Sequence, residues 1–335
     1  VKTIIFGGAF DPPHLGHINL VKSLRQRLKS ERFIIIPTGN APHKSSETPF
    51  ETRFKLAQAA FPDCEVSDIE GKESNERSQK SYTVNTIAKL KQLYPESSFV
   101  LAIGSDMLLS FTDWKDYEQI LAECEVVALS RDSSLEKHRE YSKAAERLGI
   151  KLIDIPVTEM SSRQIRALLS RKRYTHSINT AIICGELSKI AGFNHEMSEK
   201  AYIAGLFHDI AKELPDEKLQ KLISDGDFQL YEKEVAIVKL WHSPAGAVYV
   251  RKEFGITDPE ILSAIRFHTV GRDKAEDMST LEKIVYVADK ISYERDYEGL
   301  VQIRELAFSD IDSAYKETKK RIEKTIKEKG DKKHD

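Results

Sequence analysis

The chain has 335 residues, 40% hydrophobic and 31% charged, a composition ordinary for a globular protein with sizeable cores and a length that favours two domains. Lys and Arg number 51 against 53 Asp and Glu, so the net charge of −2 excludes wholesale coating of nucleic acid, but not a local basic pocket for a small anion. Three cysteines without a CxxC spacing (Cys64, Cys124, Cys184), a start too short in apolar residues for a signal peptide and the lack of an 18-residue apolar run predict a cytoplasmic protein with reduced thiols and no membrane span.

In chain order, apolar runs predict strands at 3–6, 32–37, 98–104, 125–130 and 151–156. Between them, HINLVKSLRQRL, FETRFKLAQAAF and VNTIAKLKQLY repeat apolar residues at helical spacing. Continuous apolar strands alternating with helices predict a parallel sheet covered on both faces, with ligands at the carboxyl ends of the strands. After about residue 160 only helices are predicted, at 177–191, 197–212, 216–225, 230–253, 258–268, 279–294, 298–308 and 310–328. The expectation is an α/β domain over 1–170, an all-α domain over 171–328 and a charged tail over 329–335, joined without a flexible linker and hence in a fixed arrangement.

The stretch IIFGGAFDPPHLGHINLV runs from a strand into a helix. Gly7 and Gly8 suit a tight turn and the close approach of a ligand. The helix start near Leu15 offers unpaired N–H donors and a partial positive charge, which suit phosphate, and His14 and His17 are three apart, so both can face it. GGAFDPPHLGH resembles the HxGH signature of the nucleotidyltransferases. FIIIPTGNAPHK, SYTVNTIAKLKQLYP, LAIGSDMLLSFTDWKDYEQI and MSSRQIR narrow the resemblance to bacterial nicotinate-mononucleotide adenylyltransferases, with a Rossmann-like fold. That resemblance implies ATP on Gly7, Gly8, His14, His17, Lys44, Ser161, Ser162 and Arg166, with His14 and His17 catalytic and Mg²⁺ on the phosphates. It implies nicotinate mononucleotide on Tyr82, Thr83, Asp106 and Trp114, with Asp11 in support. Two positions depart from the family: Ala9 where a Thr is usual, and Arg163 where a hydroxyl residue is usual. The first removes one phosphate donor and the second supplies a cation.

The second constellation begins with AGLFHDIAK, which predicts His208 and Asp209 side by side on an apolar helix with Lys212 one turn on. An HD dipeptide is weak evidence, for His334–Asp335 in the charged tail is another. His176, His242, His268 and Asp289, each in an apolar helical segment, strengthen it, because buried ionisable groups need partners and a divalent metal satisfies several at once. Imidazoles and carboxylates without thiolate suit Fe, Mn, Zn or Co at an open, catalytic site. The pattern resembles the HD phosphohydrolases. RYTHSINTA, AGLFHDIAKELP, LWHSPAGA, EILSAIRFHTVGR and LEKIVYVADKISYERDYEGL resemble the bacterial symmetrical diadenosine tetraphosphate hydrolases among them. That implies metal, iron in the family, on His176, His208, Asp209 and Asp289. It implies phosphate and nucleotide on Lys212, a catalytic residue, and on His242, His268, Thr269 and Arg295, with two ADP as products.

On one continuous helix Arg166 and His176 would lie about 15 Å apart along the axis and about 80° apart around it. They therefore belong to two abutting sites. The expected protein is a bifunctional enzyme of small nucleotides, ATP, nicotinate mononucleotide and diadenosine tetraphosphate, with homo-oligomerisation left open. Two alternatives stand beside it: an HD domain acting on other nucleotide phosphates (guanosine alarmones, cyclic dinucleotides or mononucleotides), or one serving as a metal-bound nucleotide sensor that regulates the transferase.

Overall fold

A computed structural model describes residues 1–42, 46–71, 80–130, 134–156, 158, 160–226, 228–272 and 278–331. It comprises two compact units, Val1–Ser162 and Arg163–Asp335. Lys44 and the His334–Asp335 dipeptide lie outside the described residues.

In the first unit the strands β1 (Lys2–Gly8), β2 (Arg32–Pro37), β3 (Glu65–Val66), β4 (Ser98–Gly104), β5 (Glu125–Ser130) and β6 (Lys151–Asp154) form a parallel sheet in the order β3-β2-β1-β4-β5-β6. β3 escapes the sequence reading because two paired residues, Glu65 and Val66, carry no periodicity. The apolar runs are buried on both faces: Ile4, Ile5, Ile34 and Ile35 are all 2% exposed or less. Burial on both faces is why these strands read as continuous rather than alternating. The chain winds outward from β1 to β3 and returns to place β4 against the other side of β1, so the order reverses between β1 and β4. A crevice opens at the carboxyl ends of the strands at such a reversal.

The second unit has no strand among its described residues. The helices Arg171–Ile190, His195–Phe207, Pro259–Phe267 and Thr280–Ile291 pack on one another, and His242–Phe254 packs on Pro259–Phe267. The helix expected from 177 begins earlier, at Arg171, where the Ser170 side chain accepts a hydrogen bond from the Arg173 N–H. That cap separates it from the short helix Ser162–Ala167, so 161–176 is not one continuous helix.

Two further helices differ from expectation. The one predicted over 230–253 is broken into Glu232–Ala236, a 3-10 turn at Val238–Leu240 and His242–Phe254. Pro244 explains the second break: it has no N–H for a helix arriving from upstream, but is tolerated in a first turn. The one predicted over 197–212 stops at Phe207, and tight turns follow, with Ile210 N–H on Phe207 O and Lys212 N–H on Asp209 O. His208 and Asp209 therefore lie just past the helix end rather than on it. No described helix is long and apolar enough to cross a membrane.

Candidate active sites

The first site forms at the carboxyl ends of β1 and β4. Gly7 and Gly8 remain in β1, paired with Ile36 and Pro37. They are not the turn that the sequence suggests. The reversal comes at Phe10, whose φ is 47°; Gly8 makes room for the Phe10 ring, which a Cβ there would approach to 3.1 Å, while a Cβ on Gly7 would meet only the Ile36 carbonyl at 3.9 Å. His14 stands at the N-cap of the helix Leu15–Leu28, and its N–H donates to Nδ1 of His17 at 3.3 Å. The two rings lie 3.9 Å apart between centroids. Gly16 makes room for this, because a Cβ there would sit 3.0 Å from the His14 ring. Ser162 donates to Pro12 O at 2.8 Å, which brings the serine motif onto the same loop; Ser161 beside it is exposed. Arg163 and Arg166 fall within the second unit.

Asp11 is buried and accepts N–H bonds from Glu47 and Thr48, at 3.0 and 3.4 Å, so it supports a loop. Arg53, which sequence reasoning missed, donates to the carbonyls of Ala9, Thr38 and Thr48 at 2.8, 2.8 and 3.0 Å. It clamps the loops that follow β1 and β2. Tyr82 caps the helix Thr83–Leu93, with Lys115 Nζ 4.8 Å from its ring centroid. Trp114 is partly buried, packs on Phe111 with centroids 5.1 Å apart and borders the same apolar cluster as Tyr82. Asp106 is exposed in the first turn of the helix Ser105–Leu109, directly after β4. Glu70, also missed, accepts the Gly39 N–H at 3.0 Å and the Thr86 hydroxyl at 2.9 Å, joining the loop after β2 to the helix that begins at Thr83.

The second site is a buried cluster within the second unit. Nε2 of His176 lies 2.9 Å from Asp289 Oδ1 and 3.2 Å from His208 Nε2. Asp209 Oδ2 is 3.6 Å from His208 Nε2 and 3.8 Å from His176 Nε2. His176, His208 and Asp209 offer ligand atoms that all lie within 4.8 Å of one another, as do His208, His268 and Asp289, and Asp209, His242 and His268, so the cluster suits a divalent metal in its donor types. The other oxygen of Asp209, Oδ1, lies 3.3 Å from Nε2 of both His242 and His268. Lys212 Nζ is 2.8 Å from His242 Nε2, and the Thr269 hydroxyl is 3.1 and 2.9 Å from Nε2 of His242 and His268.

The tautomers follow from the backbone. His208, His242 and His268 each place Nδ1 on the carbonyl three residues earlier, Gly205, Lys239 and Ile265, at 2.7, 2.8 and 2.7 Å. An Nδ1–H bond to a carbonyl leaves a bare Nε2 for the cluster. Burial lowers His208 to about 3 and His242 to about 4, so both are neutral near pH 7. Burial alone would raise the Asp209 carboxyl, but the imidazoles of His208, His242 and His268 hold it well below the usual range wherever they carry a proton toward it. Asp289 is held low in the same way by Lys290 and His176. Burial lowers Lys212, with Arg173 and Lys290 adding to the effect.

Sequence reasoning missed three members. Arg173 pairs with Asp209, Lys290 with Asp289, and Glu294 with Nδ1 of His176. Arg173 was legible in principle, since it sits three residues before His176 on one helix face. Arg295, which the resemblance assigns to phosphate, reaches Asp289 Oδ1 at 2.9 Å. Arg173, Lys212, Lys290 and Arg295 are four cations against the three carboxylates Asp209, Asp289 and Glu294. That excess, before any metal is added, suits a polyanion.

The comparisons with known proteins agree with this division. The cytidylyltransferase-like family model matches residues 5–168, and the HD domain model matches residues 173–294. A Mycoplasma pneumoniae protein named "Probable nicotinate-nucleotide adenylyltransferase/Ap4A hydrolase" is 30% identical over 350 residues, covering 95% of this chain and 98% of its own length. The chain belongs to the nicotinate-nucleotide adenylyltransferase/Ap4A hydrolase family. Each half of this family also has separate relatives. An Exiguobacterium sibiricum protein named "Probable nicotinate-nucleotide adenylyltransferase" is 35% identical over 177 residues, 52% of this chain and 88% of its own. The Bacillus subtilis protein "Bis(5'-nucleosyl)-tetraphosphatase, symmetrical" is 39% identical over 158 residues, 45% of this chain and 77% of its own.

Proposed function

We infer that the chain is a bifunctional enzyme. Its N-terminal half transfers the adenylyl group of ATP to nicotinate mononucleotide, giving nicotinate adenine dinucleotide and pyrophosphate. Its C-terminal half hydrolyses diadenosine tetraphosphate (Ap4A) to two ADP. We put the boundary at residue 170, the setting in the cytoplasm, and the metals as Mg²⁺ for transfer and Fe, or Mn, Zn or Co, for hydrolysis.

In the transfer, an oxygen of the mononucleotide phosphate attacks the α-phosphorus of ATP in line, and the bond to pyrophosphate breaks. No covalent enzyme intermediate is needed, so the protein contributes positioning and charge. His14 and His17 face the phosphates from the start of the helix Leu15–Leu28, whose N-terminal dipole adds to the field. Gly7 and Gly8 let the nucleotide lie against the end of β1, with Ser161, Ser162, Lys44 and Arg166 as further phosphate ligands. Tyr82 and Thr83 offer donors at a helix start for the nicotinate carboxylate, Trp114 a face for the ring and Asp106 a polar contact. Mg²⁺ bound with ATP would supply further charge neutralisation.

In the hydrolysis, His176, His208, Asp209 and Asp289 would hold a divalent ion, which when bound would supply Lewis-acid charge and acidify water. Water oxygen bonds to a phosphorus at the middle of the tetraphosphate, and the bridging oxygen leaves with the other ADP. Lys212, His242, His268, Thr269 and Arg295 orient the phosphates. The observation that supports the hydrolytic reading is Asp209: Oδ2 faces His176 and His208 and Oδ1 faces the His242–His268 pair, so one carboxylate could serve a metal on one side and lie beside the groups assigned to phosphate on the other.

The test is incubation of pure protein with Ap4A and Fe²⁺ or Mn²⁺, with products separated by anion exchange. ADP alone supports the reading. AMP plus ATP keeps a hydrolase but overturns symmetrical cleavage. Binding without turnover, coupled to a change in the transfer rate, makes the domain a sensor.

A further inference from the structure

Behind the His242–His268 pair lies a buried ion pair that the chemistry above does not use. Arg266 donates to both carboxylate oxygens of Glu234, with Nη2 to Oε2 at 2.6 Å, and the two side chains are 8% and 0% exposed. The guanidinium is also faced by the rings of Phe228, Tyr231 and Phe267, at 5.1, 5.5 and 5.0 Å. A buried ion pair is a poor stabiliser, because apolar side chains of similar volume do as well or better. Its use has to be sought in what it holds.

The segment that delivers His242 has few apolar anchors, the stacking of Tyr231 on Phe267 at its start being one. Among residues 232–240 Glu234 alone is buried, and Val235, Ile237 and Val238 are 64%, 46% and 40% exposed. Glu234 ties the segment down at three points. Its Oε2 accepts the Tyr231 N–H at 2.8 Å, its backbone carbonyl accepts the Trp241 indole N–H at 2.8 Å, and its carboxylate takes Arg266. The same segment presents the Lys239 carbonyl to Nδ1 of His242 at 2.8 Å, which sets the tautomer and leaves Nε2 turned inward. Arg266 in turn stands two residues before His268, on the helix whose Ile265 carbonyl sets the His268 tautomer. One ion pair therefore joins the two backbones that orient the two imidazoles, whose Nε2 atoms end 3.3 Å apart.

We propose that Glu234 and Arg266 are positioning residues for His242 and His268: they hold both imidazoles with Nε2 toward Asp209 and do not themselves touch substrate. The proposal rests on the hydrolytic role given to those histidines. Two variants test it, Arg266→Lys and the apolar double variant Glu234→Met/Arg266→Met, which leaves no orphaned charge. The adenylyltransferase activity of the same chain serves as an internal control. Both variants are expected to keep that activity, to lower kcat for Ap4A hydrolysis at least tenfold and to change KM less than threefold. Hydrolysis within twofold of the unaltered protein in a folded variant overturns the proposal. So does an equal loss in kcat and in the fraction folded, because the pair is then only a stabiliser. If the unaltered protein does not cleave Ap4A, the hydrolytic reading fails separately, and long-range ¹H–¹⁵N spectra of the imidazoles decide the positioning. The Nδ1–H form of His242 should be lost in the variants, and its persistence there overturns the proposal.

Discussion

Nδ1 of His176 is hydrogen-bonded to the carboxylate of Glu294, 118 residues away in sequence, while Nε2 of the same ring lies 2.9 Å from Asp289. A carboxylate on the outer nitrogen fixes a ligand ring and raises its basicity, and losing such a partner typically costs 10–100-fold in metal affinity. Glu294 itself is held low, to about 2, because hydrogen bonds from His176, Ser292 and Asn179 outweigh its burial. Glu294→Gln is therefore expected to weaken metal binding by roughly ten- to a hundredfold. Titration of the chelated protein with Mn²⁺ checks it, and unchanged affinity would remove Glu294 from the site.

Asp209→Ala is expected to abolish Ap4A cleavage while leaving adenylyl transfer within about twofold. The carboxylate faces His176 and His208 with one oxygen and the His242–His268 pair with the other, so its loss disables the hydrolytic site. Parallel assays of both activities on one preparation check it, and an equal loss of transfer would overturn it.

His17→Ala is expected to lower the adenylyl-transfer rate by roughly two to three orders of magnitude, the usual cost of a donor aimed at developing charge. Ap4A hydrolysis should be unaffected. The ring of His17 also receives the His14 N–H, so the nucleotide KM is expected to rise as well.

The chelated protein is expected to lose stability in its C-terminal half as pH falls. His208 and His242 are lowered by burial to about 3 and about 4, from an ordinary value near 6.5. Below about 6.5 the unfolded chain takes up protons that the folded domain refuses, so stability falls between pH 6.5 and 4, by roughly 1.4 kcal/mol per pH unit for each histidine. His176 is raised, since Asp289 and Glu294 outweigh its burial, so it is protonated in both states below 6.5 and does not oppose the trend. Calorimetry at pH 7 and 4.5 checks this, the C-terminal transition being the one that Mn²⁺ shifts upward.

Gly39→Ala should destabilise the N-terminal half, because a Cβ there would sit 2.4 Å from the Glu70 carbonyl oxygen, a backbone atom that cannot rotate away. The expected cost is about 1–3 kcal/mol, seen as a lower N-terminal transition with the Mn²⁺-shifted one unchanged.

Much of this protein is legible in its residues taken alone. The apolar runs locate β1, β2, β4 and β5, since burial on both faces imposes continuous hydrophobicity, and a shorter run locates the half-buried edge strand β6. The two histidine motifs, GGAFDPPHLGH and AGLFHDIAK with its distant partners, name both chemistries, because phosphate and metal demand particular residue types at particular spacings. Pattern says nothing, however, of which distant groups meet. That Glu294 lies on His176, that Asp209 turns one oxygen to each of two donor groups, and that Glu234 and Arg266 join across the fold depend on how helices far apart in sequence pack. So does the end of the helix at Phe207, which the apolar pattern runs through without a break and which tight turns around His208 and Asp209 replace. Periodicity records which face of an element is buried. Only the packed structure records what that face is buried against, and the chemistry of this site lies in those pairings.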